Sequence, residues 1–587
     1  MTARRRLARR WLFGLLSCCA AISSVLDTGG AGFTAVCAQD EAPRPDTLSL
    51  SSDLRVRVLR GRDVELEVRA AYGDDWRTIA ERVSAAAGAT AALAAWNGGE
   101  VTPERWLRVP LSLLNDDYRA LVLVSLFPED RRDGSDWVHL ARSGRLPTYD
   151  AGLWQVAEWF AGDGDAFGEL LAANRLGSPE LRQGQAVRIP GSLLHPAFRG
   201  GDPATDTELE FERDEHGPYA AYRLKRGEAL YSAVVVRYTG RTKASDVVTA
   251  AELIKERSGI RDLRDIPVGF KIKIPFELLE PQFLPPTDPR RIASEAERRE
   301  VEEAMARIPR GDGHGLDGVV IILDPGHGGR DLGTMNNGIW EHDYVYDVTC
   351  RLKRRLEQYT VGRVYLTLVD EETGCAPSEA DRLHANRQGT VQTDPPFLAR
   401  ENGEAKIGVN LRWYLANSIY RREVAAGVDP GKILFLSLHA DARHPSLGGV
   451  MVYVPGAANV GETHGFGSKT YTRYAEVREQ QWIKLTKKER IRSEAASLRL
   501  AEGIVDAFRA LDLPVQPYQP VRNRIIRGRS TFVPAVLRGN VVPAKVLVEM
   551  VNLSNGDDAA LLARAADRER LAEALHRALV EHFGADR

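Results

Sequence analysis

A short apolar run that ends in a glycine-flanked histidine occupies residues 319–329, with the sequence Val319-Val320-Ile321-Ile322-Leu323-Asp324-Pro325-Gly326-His327-Gly328-Gly329. Consecutive aliphatic and β-branched residues bounded by turn residues predict a strand buried on both faces of an α/β sheet. Open α/β sheets bind their ligands at the carboxyl ends of such strands. The glycines leave room around His327, so a ligand can approach its imidazole.

A second apolar run with a histidine at its end lies further along the chain. It is formed by Ile433-Leu434-Phe435-Leu436-Ser437-Leu438 and is followed by His439. Parallel strands present their carboxyl ends at one edge of the sheet, so we expect His327 and His439 to lie together. Two histidines at one edge predict a metal site, and a catalytic zinc ion needs about three protein ligands and one open position.

The third candidate ligand is Glu341, at the start of a predicted helix. The helix is indicated by apolar residues at helical spacing, which are Val345, Val348, Leu352 and Leu356. A carboxylate at the start of a helix also suits the positive end of the helix dipole. A purely structural role for Glu341 is therefore the alternative interpretation.

A fourth buried run, Lys545-Val546-Leu547-Val548, ends in Glu549. A carboxylate brought to the same edge without binding the metal fits a general base for a water molecule and then an acid for a leaving amine. A zinc ion there would activate that water and polarise the scissile carbonyl. The alternative is an ion pair between Glu549 and a cation such as Arg538.

Together these segments resemble the zinc-dependent N-acetylmuramoyl-L-alanine amidases of the Amidase_3 type, over about residues 317–585. The matching motifs are residues 323–329, Glu341, Asn417, residues 435–442, residues 448–450, residues 535–538, residues 546–549 and residues 554–555. Two positions depart from the family pattern, which has Thr-Arg where this chain has Thr367-Leu368 and Gly-Phe where it has Val551-Asn552. These departures concern substrate contacts more than metal binding.

The resemblance implies a fold, a reaction and a set of site residues. The fold is an α/β catalytic domain with a mostly parallel sheet flanked by helices. The reaction is hydrolysis of the amide between N-acetylmuramic acid and the L-alanine of the peptidoglycan stem peptide, by a water that zinc activates. The implied residues are the zinc ligands His327, Glu341 and His439, the catalytic Glu549, and Arg538 and Asn417 as substrate-binding residues.

Three related segments precede this domain, at residues 52–115, 136–195 and 218–280. Each ends in an aliphatic residue, a proline and a Leu-Leu pair, with the prolines at Pro110, Pro190 and Pro275. Their order of parts resembles the LysM domain, a small α+β unit with the order βααβ, and the middle copy matches best. The resemblance implies binding to N-acetylglucosamine-containing glycans such as peptidoglycan, whereas degenerate copies would instead be spacers or protein contacts.

The remaining regions complete the predicted organisation. Residues 281–316 are predicted to be a linker with one charged helix, and residues 317–587 form the catalytic domain. A polar insertion is predicted at residues 371–410. Residues 456–492 lie where related cell-division amidases carry a segment that blocks the site until a protein activator displaces it, so they are either such a gate or a solvated wall beside the substrate.

The chain begins with a predicted secretory signal peptide at residues 1–38. Arginines are followed by an apolar run from Trp11 to Leu26 and by small residues. This run is shorter than the ~20 residues that a membrane-spanning helix needs, so we favour cleavage over an uncleaved anchor and expect no membrane span afterwards. Export to the periplasm or cell wall follows, and there Cys350 and Cys375 either pair or leave Cys350 as a buried free thiol.

Composition limits the function classes. The chain has 587 residues, 43% of them hydrophobic and 27% charged, with a net charge of −2. These values are typical of a soluble globular protein and show no basic footprint for nucleic acid. The main alternative to the enzyme is a catalytically silent protein that binds or regulates the wall and retains the amidase fold.

Overall fold

The computed structural model describes residues 47–59, 63–147, 152–199, 208–308, 315–336, 338–359 and 362–584. The predicted signal peptide lies outside the described residues. Within those ranges no helix combines the length and the apolar character that crossing a bilayer requires.

The amino-terminal half contains three βααβ units, and in each the first and last strands pair antiparallel. These pairs are β3 with β4, β6 with β7, and β9 with β10. In chain order the elements are β1 (Thr47–Ser49), β2 (Leu54–Leu59), β3 (Asp63–Arg69), α1 (Trp76–Val83), α2 (Ala89–Asn97), β4 (Trp106–Pro110), α3 (Asp116–Leu126), β5 (Arg131–Asp133), β6 (Asp136–Leu140), α4 (Leu153–Phe160), α5 (Phe167–Ala173), β7 (Ala186–Ile189), β8 (Glu210–Asp214), β9 (Gly217–Arg223), α6 (Arg237–Thr239), α7 (Ala244–Ser258) and β10 (Lys271–Pro275). The element order agrees with the βααβ pattern, while the LysM assignment and the domain boundaries stay predictions.

The three units are packed together into one body. Their buried apolar side chains form one continuous cluster that extends from Leu54 to Leu284. Arg119 on α3, between the first two units, is only 4% exposed and donates to the carbonyl of Trp159 in the second unit at 3.2 Å and to that of Leu111 in the first at 3.4 Å. A buried guanidinium that finds carbonyl partners in a neighbouring unit fixes the two units relative to each other.

The carboxyl-terminal half contains fifteen of the strands in the described ranges. They are β11 (Val320–Pro325), β12 (Met335–Asn336), β13 (Ile339–Trp340), β14 (Arg363–Leu366), β15 (Leu368–Asp370), β16 (Gly389–Val391), β17 (Phe397–Leu398), β18 (Ile433–His439), β19 (Met451–Tyr453), β20 (Thr463–Gly465), β21 (Trp482–Lys484), β22 (Val521–Arg522), β23 (Ile525–Arg527), β24 (Ser530–Phe532) and β25 (Ala544–Glu549). Six of them form the central sheet in the order β14-β11-β18-β25-β19-β22. Only the β19–β25 pair is antiparallel, so the prediction of a mostly parallel sheet is confirmed.

Helices cover both faces of this sheet. They are α8 (Pro289–Ala306), α9 (Glu341–Tyr359), α10 (Ala405–Ala425), α11 (Lys469–Thr472), α12 (Ala475–Glu479), α13 (Lys487–Ala510), α14 (Ala535–Arg538), α15 (Gly556–Ala563) and α16 (Ala565–Phe583). One apolar cluster joins the sheet to α9, α13 and α16, and another joins its opposite face to α10 and α14. The predicted linker helix, α8, is held against α13, because Arg499 donates to the carbonyl of Met305 at 2.9 Å.

The strand register brings the predicted site residues to one edge. All six residues of β11 and of β25 are buried, as expected for strands covered on both faces. Pro325 is paired with Leu438, and His439 is paired with Glu549. The carboxyl ends of β11, β18 and β25 therefore lie side by side.

Cys350 on α9 and Cys375 at the start of the insertion form a disulfide, with their Cα atoms 5.3 Å apart. Of the two alternatives left open by the sequence, the bridge is the one found in the structure. It ties the polar insertion at 371–410 to the helix that begins with Glu341.

We predict that Cys375→Ser lowers the free energy of unfolding of the catalytic domain by about 3 kcal/mol. The bridge closes a loop of 25 residues, and losing such a constraint on the unfolded chain has an effect of that order. Urea unfolding of the oxidised protein and the variant measures the difference. A reducing agent should destabilise the natural chain and leave the variant unchanged, and insensitivity of the natural chain would contradict the prediction.

Candidate metal centre

Three predicted ligands converge at the carboxyl edge of the sheet. Oε1 of Glu341 lies 3.1 Å from Nε2 of His327 and 3.0 Å from Nδ1 of His439. One ligand atom from each residue lies within 4.8 Å of the others. Two imidazole nitrogens and one carboxylate oxygen form a donor set that is typical of catalytic zinc sites.

The loop after β11 places His327. This residue adopts a left-handed backbone conformation, with a φ of 67°, and its Nδ1 lies 3.0 Å from Oδ1 of Asp331. A carboxylate on one ring nitrogen fixes the orientation of the ring and leaves the other nitrogen for a metal. A Cβ atom on Gly326 would lie 2.6 Å from the His439 ring, so the approach of the two histidines requires glycine there.

Glu341 is the first residue of α9 and is only 2% exposed. Its Oε2 accepts a hydrogen bond from the backbone N–H of Thr334 at 2.9 Å. Its Oε1, which faces the histidines, accepts one from the backbone N–H of Ala440 at 3.1 Å. These two bonds hold the carboxylate in place before any ion arrives, so the site is preformed.

The electrostatics of the centre favour a cation. Burial lowers the pKa of His327, but the carboxylates of Glu341 and Asp331 outweigh it and raise this pKa to about 10. Burial also opposes the charge of Glu341, yet His327 and His439 bring its pKa well below the usual value. A proton on His327 therefore supplies positive charge in the metal-free protein.

Glu549 lies beside this centre. It is 6% exposed, and its Oε2 accepts a hydrogen bond from the backbone N–H of Asp441 at 2.8 Å. Burial, followed by repulsion from Asp441 and Glu341, raises the pKa of Glu549 well above its usual value, and Arg443 partly opposes this rise. The cation that acts on Glu549 is thus Arg443, whereas Arg538 ends α14 with an exposed side chain.

The structure corrects the predicted role of Asn417. This residue lies on α10 and is completely buried. Its Nδ2 donates to the carbonyl of Gly539 and its Oδ1 accepts from the N–H of Val541, both at 2.8 Å. Substrate cannot reach a side chain that is enclosed and bonded in this way, so Asn417 holds the loop after α14 instead.

Sequence reasoning missed two residues of the centre. One is His342, which is 2% exposed and whose Nδ1 lies 2.9 Å from the carbonyl of Gly326. Its position three residues before Val345 on the buried helix face was the available signal. Asp331, which orients His327, stands four residues after it in the same glycine-rich loop.

The two segments that lengthen the catalytic domain, residues 371–410 and 456–492, lie in different places. The insertion at 371–410 forms a wall of the centre, because Gly389, Val391 and Phe397 line a cavity of about 60 Å³ with His327. Residues 456–492 instead extend along α10, where the hydroxyl of Tyr414 donates to the carbonyl of Gln481 at 2.7 Å. Whether they gate the site stays a prediction.

Residues 321–581 match the sequence model of the Amidase_3 family, described as N-acetylmuramoyl-L-alanine amidase. The chain is also similar to the germination-specific N-acetylmuramoyl-L-alanine amidase of Bacillus subtilis, with 25% identity over 111 residues. That alignment covers 18% of this chain and 46% of the relative, so the match spans about half the length of the curated relative.

Solved amidase structures are similar to a part of this chain. The N-acetylmuramyl-L-alanine amidase Ami1 of Mycobacterium smegmatis has 19% identity and a TM-score of 0.29, over 46% of this chain and 99% of its own. The CwlD amidase of Clostridioides difficile, solved in complex with the GerS lipoprotein, has 19% identity and a TM-score of 0.28, over 46% of this chain and 100% of its own.

We predict that zinc binding at neutral pH releases about one proton from His327. The metal requires a neutral imidazole, and the pKa of His327 without metal is about 10. Apparent zinc affinity should therefore rise about tenfold per pH unit between pH 7 and pH 9. Calorimetry in buffers of different ionisation enthalpy counts the protons. A pH-independent affinity with no proton release would contradict the protonated state.

We predict that Asp331→Ala lowers zinc affinity about 10- to 100-fold, as is usual when a ligand histidine loses its carboxylate partner. Competition with a chelator measures the change at pH 8. Asp317→Ala is the matched control, because Asp317 is an exposed carboxylate before β11. Equal affinities for the two variants would show that Asp331 does not orient the ligand.

Proposed function

We propose that residues 317–587 form a zinc-dependent amidase that hydrolyses the bond between N-acetylmuramic acid and the L-alanine of the stem peptide. The observation that carries this proposal is the register of β18 and β25, which pairs His439 with Glu549 beside the three-residue centre. The same residues lie within the part of the chain that matches the amidase family.

The centre fits a zinc ion in charge, donor type and access. His327 and His439 have 23% and 16% of their side-chain surfaces exposed, whereas Glu341 has 2%. The two imidazoles therefore border the open side, and the carboxylate closes the buried side. A bound zinc ion would supply a Lewis acid that polarises the scissile carbonyl and makes a water molecule more acidic.

Glu549 moves the proton in this scheme. The Asp441 N–H holds one carboxylate oxygen, which leaves Oε1 to act on the water. A dication held by His327, Glu341 and His439 would lower the pKa of Glu549 and favour its carboxylate form despite its burial. Glu549 takes a proton as the water oxygen attacks the carbonyl carbon, and it gives that proton to the alanine nitrogen as the C–N bond breaks.

The amino-terminal units support a role at the wall. We propose that these LysM-like units bind glycan after export directed by residues 1–38. Trp96 and Trp154 expose 51% and 46% of their surface on the first two units, and exposed rings of this size are suited to stacking on sugars. With a net charge of −2, the chain needs such specific contacts to stay near an anionic wall. A protein activator remains a prediction.

We predict that Glu549→Gln lowers the rate of stem-peptide release from purified sacculi about 10²- to 10⁴-fold, which is the usual contribution of a general acid–base group. The amide cannot accept the proton, but it preserves the shape of the buried side chain. Zinc content should stay at about one ion per chain. Mass spectrometry of the released peptides identifies the cleaved bond.

Glu502→Gln is the matched control, because Glu502 is an exposed carboxylate on α13. It should release peptides at the natural rate. A catalytically silent wall-binding protein would bind sacculi and release nothing in either form. Release at the natural rate by Glu549→Gln would remove Glu549 from the mechanism.

A further inference from the structure

The third βααβ unit is packed against the loop that follows β18, residues 440–447, which we name the catalytic loop. The backbone N–H of His444 donates to the carbonyl of Thr242 at 3.0 Å. The Tyr231 ring stacks on the His444 imidazole, with the centroids 4.6 Å apart and the planes at 30°. Leu447, which is 1% exposed, belongs to the apolar cluster of the amino-terminal units.

The other side of the catalytic loop is held by Asn552, which is completely buried. Its Nδ2 donates to the carbonyls of His444 at 3.0 Å and Leu447 at 2.6 Å. Its Oδ1 accepts a hydrogen bond from the N–H of Arg443 at 2.9 Å. The loop is therefore clamped between the third unit and Asn552.

The catalytic loop carries the donor that positions Glu549. The backbone N–H of Asp441 donates to Oε2 of Glu549 at 2.8 Å, and the carbonyl of Asp441 accepts from the N–H of Leu553 at 2.9 Å. Because His444 lies only three residues from that donor, we expect a displacement of His444 to shift it. The metal ligands are held away from His444: His327 follows β11, His439 ends β18, and Glu341 is bonded by Thr334 and by Ala440, the loop residue next to β18.

Further contacts keep the third unit docked independently of Tyr231. Arg522, which is 7% exposed, donates from Nη1 to the carbonyl of Gly240 at 2.9 Å. Arg524 pairs with Glu280 at 2.9 Å. Neither contact involves Tyr231, so removal of one stacked ring is expected to loosen the loop and not to detach the unit.

We propose that Tyr231 and His444 are positioning residues for the Glu549 carboxylate, and that the third unit is a structural part of the hydrolase. The proposal deepens the proposed amidase function and rests on it. The unit that contacts the catalytic loop thereby differs in role from the first two units, whose exposed tryptophans suit glycan binding. The three units resemble one another in sequence, so this difference in role is visible only in the structure.

The test uses the full chain with zinc and a soluble N-acetylmuramoyl peptide, so that wall binding does not contribute. Tyr231→Ala and His444→Ala should each lower kcat about 10- to 100-fold, as expected for a small displacement of a catalytic group. KM should stay within about twofold, because ground-state binding is intact. Zinc content and melting temperature should match those of the natural chain.

Two further variants distinguish a positioning role of Tyr231 from a general loss of structure. Tyr231→Phe should retain the natural kcat, because it keeps the stacked ring and no hydrogen bond of the hydroxyl is found within the described residues. Tyr72→Ala is a matched control on the first unit, where Tyr72 is 96% exposed. Hydrogen exchange should become faster in residues 441–447 of the two alanine variants and stay unchanged at Ala440, which bonds Glu341, and in β18 and β25.

Natural kcat in His444→Ala, or a loss of kcat shared by Tyr231→Phe or Tyr72→Ala, would overturn the proposal. So would exchange rates in the catalytic loop that equal those of the natural chain. If the natural chain cleaves no muramoyl peptide, the proposed function fails, and hydrogen exchange alone then decides whether the third unit holds the loop.

Discussion

The centre of the molecule depends on one buried charge. Glu341 is 2% exposed, and a carboxylate in such a place is unstable unless opposite charge and hydrogen bonds compensate for the lost water. Two imidazoles and two backbone N–H groups provide that compensation. The partners come from two segments, His327 and Thr334 after β11 and His439 and Ala440 at the end of β18, so one side chain constrains the paths of both.

This constraint explains why glycines and buried polar residues accumulate at the edge. The Gly326 position admits no Cβ because the His439 ring lies there, and the Gly333 position admits none because Glu341 does. His342, next to Glu341, is bonded through its Nδ1 to the carbonyl of Gly326, so this buried backbone oxygen has a hydrogen-bond partner. Burial brings the pKa of His342 down to about 4, so it adds no second charge behind the centre.

The sequence alone predicted the buried strands and the sheet edge that carries the site. It did not predict the contacts that neighbouring loops make with that site. Runs such as 320–325 and 544–549 are apolar throughout because both faces are covered, and this pattern is visible without a structure. The roles of Asp331 and Asn417 depend on where loops return in space, which local patterns do not encode. Asn417 matched a family motif, yet its amide is bonded to the backbone near Gly539. The contact between Tyr231 and His444 joins residues far apart in the chain.

The preformed centre offsets the charge of Glu341 with groups of the chain itself. Burial opposes that charge, but His327, whose pKa is raised to about 10, and the N–H groups of Thr334 and Ala440 stabilise the carboxylate. A metal ion held by the three ligands would displace a proton from His327 and would add positive charge near Glu549. This positive charge would act on Glu549, whose pKa is raised by burial and by the carboxylates of Asp441 and Glu341. Burial is the largest cause of this rise and the two carboxylates follow, and a cation bound beside them would oppose their effect and lower the pKa of Glu549.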